Sequence, residues 1–298
     1  MIQIKVKDTV FDLTILSDIG NINIMIKDIV VSLSASDGTI NFAVSVANMF
    51  QAHLAGVSFF YEPIILPASD MGGIPIGYIE AQREVNERAA KNAKSRFDEA
   101  VRRAGISSES CIIEAEIADA PNTFARIARR YDMSIVGQAE PEKSAPDALI
   151  VEGALFESGR PLFVVPYIQK APIALNRAMV CWDGSRNAAR AVSDALPILG
   201  RVKQVDVVTI LGEKGKSDEL PGADIAQHLA RHGLKVELRR VSFGETDVAD
   251  SLLSLAADLS ADFLVMGGYG HSRLREFILG GATRGVLASM TVPTLMSH

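Results

Sequence analysis

Residues 261–284 read ADFLVMGGYGHSRLREFILGGATR, an apolar run followed by two glycine clusters. The run Phe263–Met266 has the length and apolar character of a strand buried inside a parallel sheet. Glycine directly after such a run is typical of a turn at the carboxyl end of the strand. Ligands of open α/β sheets bind outside these strand ends, so this stretch predicts both a fold class and a ligand-binding edge.

Strand and helix patterns alternate on both sides of this stretch. The predicted strands are Ala178–Trp182, Val205–Ile210, Leu234–Val241, Phe263–Met266 and Val292–Met296, and the predicted helices lie near residues 187–199, 223–232, 247–259 and 283–289. Parallel strands need crossover helices, which pack on the faces of the sheet. The C-terminal half is therefore predicted to be an open α/β sheet.

The N-terminal half repeats this order. Lys27–Val31 aligns with Arg177–Cys181, and Asp132–Gly137 aligns with Asp262–Gly267. The predicted strands are Ile29–Ser32, Leu54–Phe60, Cys111–Glu116 and Met133–Val136, and the predicted helices lie near residues 40–51, 79–105 and 122–130. Residues 61–78 are rich in proline and glycine and are predicted to be a long loop.

The repeat predicts two domains of one α/β fold, each an open, mostly parallel five-stranded sheet with helices on both faces. The predicted boundaries are residues 25–166 and 175–298, joined by a short linker that contains Pro172. Residues 1–24 lie outside the repeat and are predicted to be an N-terminal extension; a natural start at Met25 is an alternative hypothesis.

Composition excludes several classes of protein. The 298 residues carry 36 acidic and 30 basic side chains, a net charge of −6 that argues against a nucleic-acid partner. The two cysteines, Cys111 and Cys181, are too few for a disulfide framework and are expected to be buried free thiols. No signal peptide and no membrane-spanning run is recognisable, so we expect a cytoplasmic protein.

The first candidate site follows the first strand of the C-terminal half. Asp183 can accept a hydrogen bond from an adenine amino group or a ribose hydroxyl, and Gly184 leaves room for the ligand. The alternative interpretation is a helix N-cap, which Asp183 and Ser185 both favour.

The second candidate site is the pair of glycine clusters. Backbone N–H groups of a glycine-rich turn, together with a helix N-terminus, can surround phosphate oxygens. Three arginines in or beside the clusters can offset the charge of a polyphosphate: Arg273, Arg275 and Arg284. The alternative is that the glycines only shape two turns.

Other nucleotide and catalytic signatures are absent from the sequence. Neither half has GxGxxG after its first strand, and Gly280-Gly281 lacks the GK[ST] ending of a P-loop. No catalytic residues and no metal site are assigned.

The spacing Gly267-x2-Gly270-x9-Gly280, between a strand and a terminal helix, resembles the universal stress protein family. The resemblance implies a Rossmann-like fold of the adenine-nucleotide alpha-hydrolase type. It also implies that ATP, ADP or AMP is bound, with or without Mg²⁺, and that Asp183 faces the base. The residues assigned to this site are Asp183, Gly184, Gly267, Gly268, Gly270, His271, Arg273, Gly280, Gly281 and Thr283. One departure is Gly281, since the family motif usually has Ser or Thr there, so the phosphate contact must come from backbone N–H groups or Thr283.

The N-terminal half departs further from the family pattern. Leu33 replaces Asp183, and Glu140 stands where a phosphate-wrapping glycine is expected. We therefore predict that this half binds no nucleotide. A turn at Glu157–Pro161 precedes an edge-type strand, which in this family helps to pair domains, so we expect an intrachain pseudo-dimer; a homodimer is left open.

The expected function is that of a universal stress protein with a stress-response regulatory role, binding an adenine nucleotide in its C-terminal domain. No general base or acidic metal pair is recognisable, so any ATPase activity is expected to be slow. Two alternatives are a nucleotide-free interaction scaffold and a weak hydrolase or small-ligand enzyme that uses residues 61–78 as a lid.

Overall fold

A computed structural model describes residues 4–6, 9–11, 26–33, 36–62, 76–140, 146–210, 222–241, 247–268 and 281–298. Strands β1 (Ile4–Val6) and β2 (Thr9–Phe11) pair with each other in an antiparallel manner, outside the main sheet. None of the helices in these ranges is long and apolar enough to cross a bilayer.

The two halves contain the same series of elements. The N-terminal half consists of β3 (Asp28–Leu33), α1 (Asp37–Phe50), β4 (His53–Tyr61), α2 (Ile76–Ala104), β5 (Ser108–Ala115), α3 (Ala120–Ala128), β6 (Met133–Gly137), α4 (Asp147–Glu157) and β7 (Leu162–Val165). The C-terminal half consists of β8 (Arg177–Trp182), α5 (Arg186–Leu199), β9 (Gln204–Ile210), α6 (Ala223–Arg231), β10 (Val236–Val241), α7 (Val248–Asp258), β11 (Phe263–Gly267), α8 (Gly281–Ser289) and β12 (Thr294–Ser297).

All ten strands of the two halves form one sheet, in the order β10-β9-β8-β11-β12-β7-β6-β3-β4-β5. Every neighbouring pair is parallel except β12 and β7, which are antiparallel. The predicted α/β fold is confirmed, and its two five-stranded halves join edge to edge at this pair. Because the junction is antiparallel, the strands of the two halves end at opposite edges of the sheet.

The apolar core continues across the junction. Phe163 on β7 meets Phe42 of α1 edge to face, with ring centroids 5.2 Å apart. The same ring meets Phe263 of β11 at 5.9 Å. All three side chains are fully buried, so one aromatic row ties the N-terminal half to the C-terminal half.

The same glycine packing recurs in both halves. A Cβ atom on Gly153 of α4 would lie 2.7 Å from the Pro121 carbonyl oxygen of α3. A Cβ atom on Gly285 of α8 would lie 2.5 Å from the Ala249 Cβ of α7. In each half, glycine therefore allows the last two helices to approach closely.

The structure corrects the predicted secondary structure at the long loop, whose first residue Tyr61 belongs to β4, and at one helix. Helix α2 begins at Ile76, so Gly77 and Tyr78, predicted to end the long loop, are helical. A Cβ atom at Gly77 would meet nothing within 4 Å, and residues 63–75 of the predicted loop lie outside the described ranges. The second correction is α4, a helix that was not predicted because most of its positions are apolar and its amphipathic period is weak.

The two cysteines differ in their surroundings. Cys111 is exposed on the outermost strand β5, so the expectation that it is buried was wrong. Cys181 is partly buried in β8, and burial, with a smaller effect from Asp183, raises the pKa of its thiol to about 12. We therefore expect the Cys181 thiol to be protonated at neutral pH.

Candidate functional site

The candidate site lies at the carboxyl ends of β8 and β11, which are neighbours in the sheet. Their parallel register pairs Cys181 with Met266, so Asp183 and Gly267 follow adjacent strand ends. Helix α8 is the crossover between the parallel strands β11 and β12, so its first residue lies at the same edge. The fold thus brings both sequence-predicted segments to one edge.

Asp183 sits in the turn that leads into α5. Gly184 has a left-handed backbone, φ 74°, which allows the chain to turn sharply here. Ser185 is the N-cap, since its Oγ accepts a hydrogen bond of 3.1 Å from the Ala188 N–H. The Ser185 N–H in turn donates to Asp183 Oδ1 at 2.9 Å. Capping therefore falls to Ser185, and the second carboxylate oxygen of the exposed Asp183 has no hydrogen bond to any residue that the structure describes.

Gly267 and Gly268 serve close packing. A Cβ atom on Gly267 would lie 2.6 Å from the Ala188 backbone nitrogen, at the start of α5. A Cβ atom on Gly268 would lie 2.7 Å from Leu155 Cδ2, on α4 of the other half. Both glycines thus have a structural reason to be there that is independent of any ligand.

The backbone of Gly268 is fully engaged. Its N–H donates to the Ser297 carbonyl at 2.8 Å. Its carbonyl accepts from Asn187 Nδ2 at 2.7 Å and lies 3.0 Å from His298 Nδ1. A phosphate would have to be held by the N–H groups that follow Gly268 in the sequence.

Asn187 and His298 were not identified from the sequence. Asn187 Nδ2 lies 2.9 Å from His298 Nδ1, so the two side chains and Gly268 form a small polar network behind the glycine turn. The His298 ring also meets Phe156 of α4 edge to face at 5.0 Å. An asparagine in the first turn of a helix only weakly indicates a functional residue. Nothing in the sequence links Asn187 to His298, which is 111 positions away.

The beginning of α8 is not covered by any other described residue. Gly281, the first residue of α8, is exposed, and a Cβ atom on it would meet no described atom within 4 Å. Thr283, one of the two predicted sources of a phosphate contact, is only 4% exposed. The accessible groups at this helix end are therefore backbone N–H groups.

Four of the assigned residues cannot be placed. Gly270, His271, Arg273 and Gly280 lie outside the described residues. Arg284 lines a cavity of about 350 Å³ between the halves, together with Gln138 and Glu152. Among the residues that the structure describes, no group of three or more His, Cys, Asp or Glu side chains is placed to hold a metal ion.

The corresponding edge of the N-terminal half is built differently. Gln138 takes the place of Gly268 after β6. Its Nε2 donates to the carbonyls of Leu287 and Ala288, 2.9 and 3.1 Å away, at the end of α8. Its Oε1 accepts from the Tyr167 N–H at 3.3 Å. Gln138 therefore connects the N-terminal half to α8 of the C-terminal half.

Comparisons with known proteins agree with the glycine spacing. Residues 175–298 match the model of the universal stress protein family. A universal stress protein of Synechocystis sp. is 24% identical over 173 residues, and the match spans 55% of this chain but only 57% of that relative.

Two solved structures share the fold of nearly the whole chain. A universal stress protein from Archaeoglobus fulgidus has a TM-score of 0.67 at 15% identity, over 93% of this chain and 98% of its own. A protein of unknown function from Pseudomonas aeruginosa has a TM-score of 0.58 at 14% identity, over 91% and 92%. At these identities the likeness concerns the fold alone. Residues 175–298 of this chain are therefore a universal stress protein domain, as the glycine spacing predicted.

Proposed function

We propose that the C-terminal domain binds an adenine nucleotide at the edge formed by β8, β11 and α8. The observation that carries the proposal is the exposed Asp183 carboxylate, which lies at the end of β8 next to the glycine turn after β11. Membership of this domain in the universal stress protein family supports the same ligand class.

The proposed ligand is ATP, or ADP or AMP, with or without Mg²⁺. Asp183 would accept a hydrogen bond from the base or the ribose, with Gly184 leaving space beside it. The phosphates would lie against the N–H groups between Gly270 and Gly280 and against the N-terminus of α8. His271 and Arg273 would complete the phosphate end of the site.

The N-terminal domain is proposed to be free of nucleotide. It lacks an acceptor at Leu33, and Gln138 binds α8 instead of forming a glycine turn. Its own edge carries two carboxylates, Glu140 and Asp147, close enough for the Glu140 charge to raise the pKa of Asp147. Negative charge at this edge opposes a phosphate.

Titration calorimetry of the full chain with ATP tests the proposal, and Trp182, the single tryptophan, gives a second signal next to Asp183. Asp183→Ala and Gly281→Glu are expected to weaken binding at least tenfold, the second because it places a carboxylate at the phosphate end. Gly77→Glu is the matched control, since Gly77 is also an open glycine in the first turn of a helix. Absence of ATP binding by the wild type at millimolar concentration would refute the proposal and favour a nucleotide-free scaffold.

The physiological role is proposed to be nucleotide-dependent regulation in the cytoplasmic stress response, by binding rather than by turnover. Chromatography of bound nucleotide over time tests this part. Conversion of ATP to ADP or AMP at an appreciable rate would instead support a hydrolase.

A further inference from the structure

The N-terminal half contains a cavity of about 430 Å³ at the carboxyl ends of β3 and β4. This volume is within the range of small-molecule sites. Leu33 and Phe59 line it from the sheet, Ala90 and Ala93 from α2, and Asp147 from the first residue of α4. The cavity lies at the sheet edge opposite to the one proposed for the nucleotide.

The cavity exists because α2 presents small side chains there. Ala90 and Ala93 are both buried, at 4% exposure, and their methyl groups leave space above the strand ends. One turn further along α2, the Phe97 ring fills the same layer so closely that a Cβ atom on Gly56 would lie 2.9 Å from it. The opening is therefore confined to the end of the sheet where strands stop and ligands can enter.

Among the described residues that line this cavity, the unbalanced charge is negative. Asp147 has no hydrogen bond or ion pair with any residue that the structure describes, and burial, with the nearby Glu140 charge, raises its pKa to about 6. Arg96 also lines the cavity, but its Nε lies 3.2 Å from Asp37 Oδ1, which offsets its charge. A partly buried carboxylate without a partner is stabilised by any ligand that brings a positive charge or an N–H donor.

Aromatic residues line the same cavity, and Tyr61 lies close enough to Asp147 to be affected by its charge. Phe59 and Tyr61 both line the cavity, with ring centroids 6.0 Å apart and planes inclined by 24°. Burial, followed by the Asp147 charge, raises the pKa of the Tyr61 phenol, so the phenol stays neutral. Rings of this kind attract cations through their faces and also pack against an apolar ligand body.

We propose that this cavity binds a small organic amine, with the ammonium group at Asp147 beside the Tyr61 ring and an aromatic or other apolar body over the ends of β3 and β4, against the alanine face of α2. Under the two proposals, the sheet edge of the C-terminal half binds an anionic ligand and the sheet edge of the N-terminal half binds a cationic ligand. The proposal does not depend on nucleotide binding in the C-terminal domain.

The test is titration calorimetry of the full chain at pH 7.5 with three indole derivatives of similar size. Tryptamine is cationic, tryptophol is its neutral alcohol counterpart, and indole-3-acetate is anionic. Tryptamine is expected to bind at least tenfold more tightly than tryptophol, and indole-3-acetate more weakly still. The smaller amine 2-phenylethylamine is tested in the same way, in case the indole ring is too large.

Three variants locate the site. Asp147→Asn is expected to remove the preference for the amine over the alcohol, whereas Glu84→Gln, which removes a carboxylate from an exposed part of α2, leaves it unchanged. Ala89→Trp fills the cavity from α2 and is expected to abolish binding of all the compounds. A thermal melt of each variant confirms that it is folded.

Three results would overturn the proposal: no binding of either amine at 5 mM, binding of indole-3-acetate as tight as that of tryptamine, or unchanged amine binding by Asp147→Asn. ATP titrations of the same variants separate the two proposals. Asp147→Asn is expected to leave ATP binding intact, and Asp183→Ala is expected to leave amine binding intact.

Discussion

At the scale of single residues, Gly267 and Gly281 both belong to the glycine clusters of the sequence but have different roles in the structure. Gly267→Ala would force a methyl group to within 2.6 Å of the Ala188 backbone nitrogen. We expect this substitution to lower the free energy of unfolding by about 1–3 kcal/mol, because the start of α5 must move. Urea unfolding measures the loss.

Gly281→Ala is the companion variant to Gly267→Ala. Its methyl group meets no described atom within 4 Å and lies at the start of α8, so stability should be unchanged or up to about 1 kcal/mol higher. If both variants lose the same free energy of unfolding, close packing at Gly267 does not explain the effect of Gly267→Ala.

Asp147 is expected to reduce stability at neutral pH. Its pKa is raised to about 6 in the folded protein, so the folded state holds the proton more tightly than the unfolded chain does. The stability that protonation provides is complete at pH below about 4 and is lost as the pH rises through 6.

Asp147→Asn should therefore stabilise the protein at pH 7.5 by about 1–2 kcal/mol, a range that allows for screening of a partly exposed carboxylate, and little at pH 4. Urea unfolding of variant and wild type at both pH values measures this difference. A gain of the same size at pH 4 would contradict the explanation. Glu84→Gln serves as the control for loss of one carboxylate.

At the scale of elements, periodicity and turn residues were enough to predict most strands and helices. Several of the parallel strands contain continuous apolar runs, for example Phe263–Met266, which is followed by glycine. Helix α4 was missed because most of its positions are apolar, including the exposed Ala148 and Leu149, and this removes the amphipathic period. Cys111 was misjudged because the sequence does not reveal that β5 is an edge strand, where one face is in solvent.

The candidate site was predictable only in part. Asp183 and the glycine clusters are adjacent to strand ends in the sequence, and the topology rule for parallel sheets brings those ends together. The network of Asn187, Gly268 and His298 depends on contacts between distant segments, for which a single sequence has no signal. The cavity above β4 likewise exists because α2 presents small side chains to the sheet. The sequence alone does not show where α2 lies on the sheet, so the cavity could not be predicted.

Helix α8 is held at its end by a side chain of the other half. The Gln138 amide donates to two terminal carbonyls, which have no partners within the helix itself. Gln138→Ala should therefore cost about 1–2 kcal/mol in the free energy of unfolding. Gln138→Glu should cost more, because a carboxylate cannot donate and is repelled by the negative helix end. Denaturant unfolding tests this order, and a glutamate variant as stable as the wild type would contradict it.

At the scale of the whole molecule, the continuous sheet and the aromatic row through Phe163 connect the two halves, so we expect them to unfold as one cooperative unit. Phe163→Ala should destabilise the chain by about 3–5 kcal/mol and shift a single transition, rather than melt one half first. Calorimetry together with Trp182 fluorescence, which reports on the C-terminal half, can detect any separation. Two resolved transitions in the wild type would show that the halves unfold independently.

The antiparallel pairing of β7 and β12 also has a consequence for how the halves can change over evolutionary time. In a dimer of identical subunits every substitution appears twice, so a change useful in one copy is imposed on the other. In this chain the pseudo-symmetric positions Gly268 and Gln138 already differ, and each contacts the opposite half in its own way. A single chain that contains both halves can therefore change the ligand specificity of one carboxyl edge of the sheet without changing the other. The β7–β12 pairing that joins the halves is preserved.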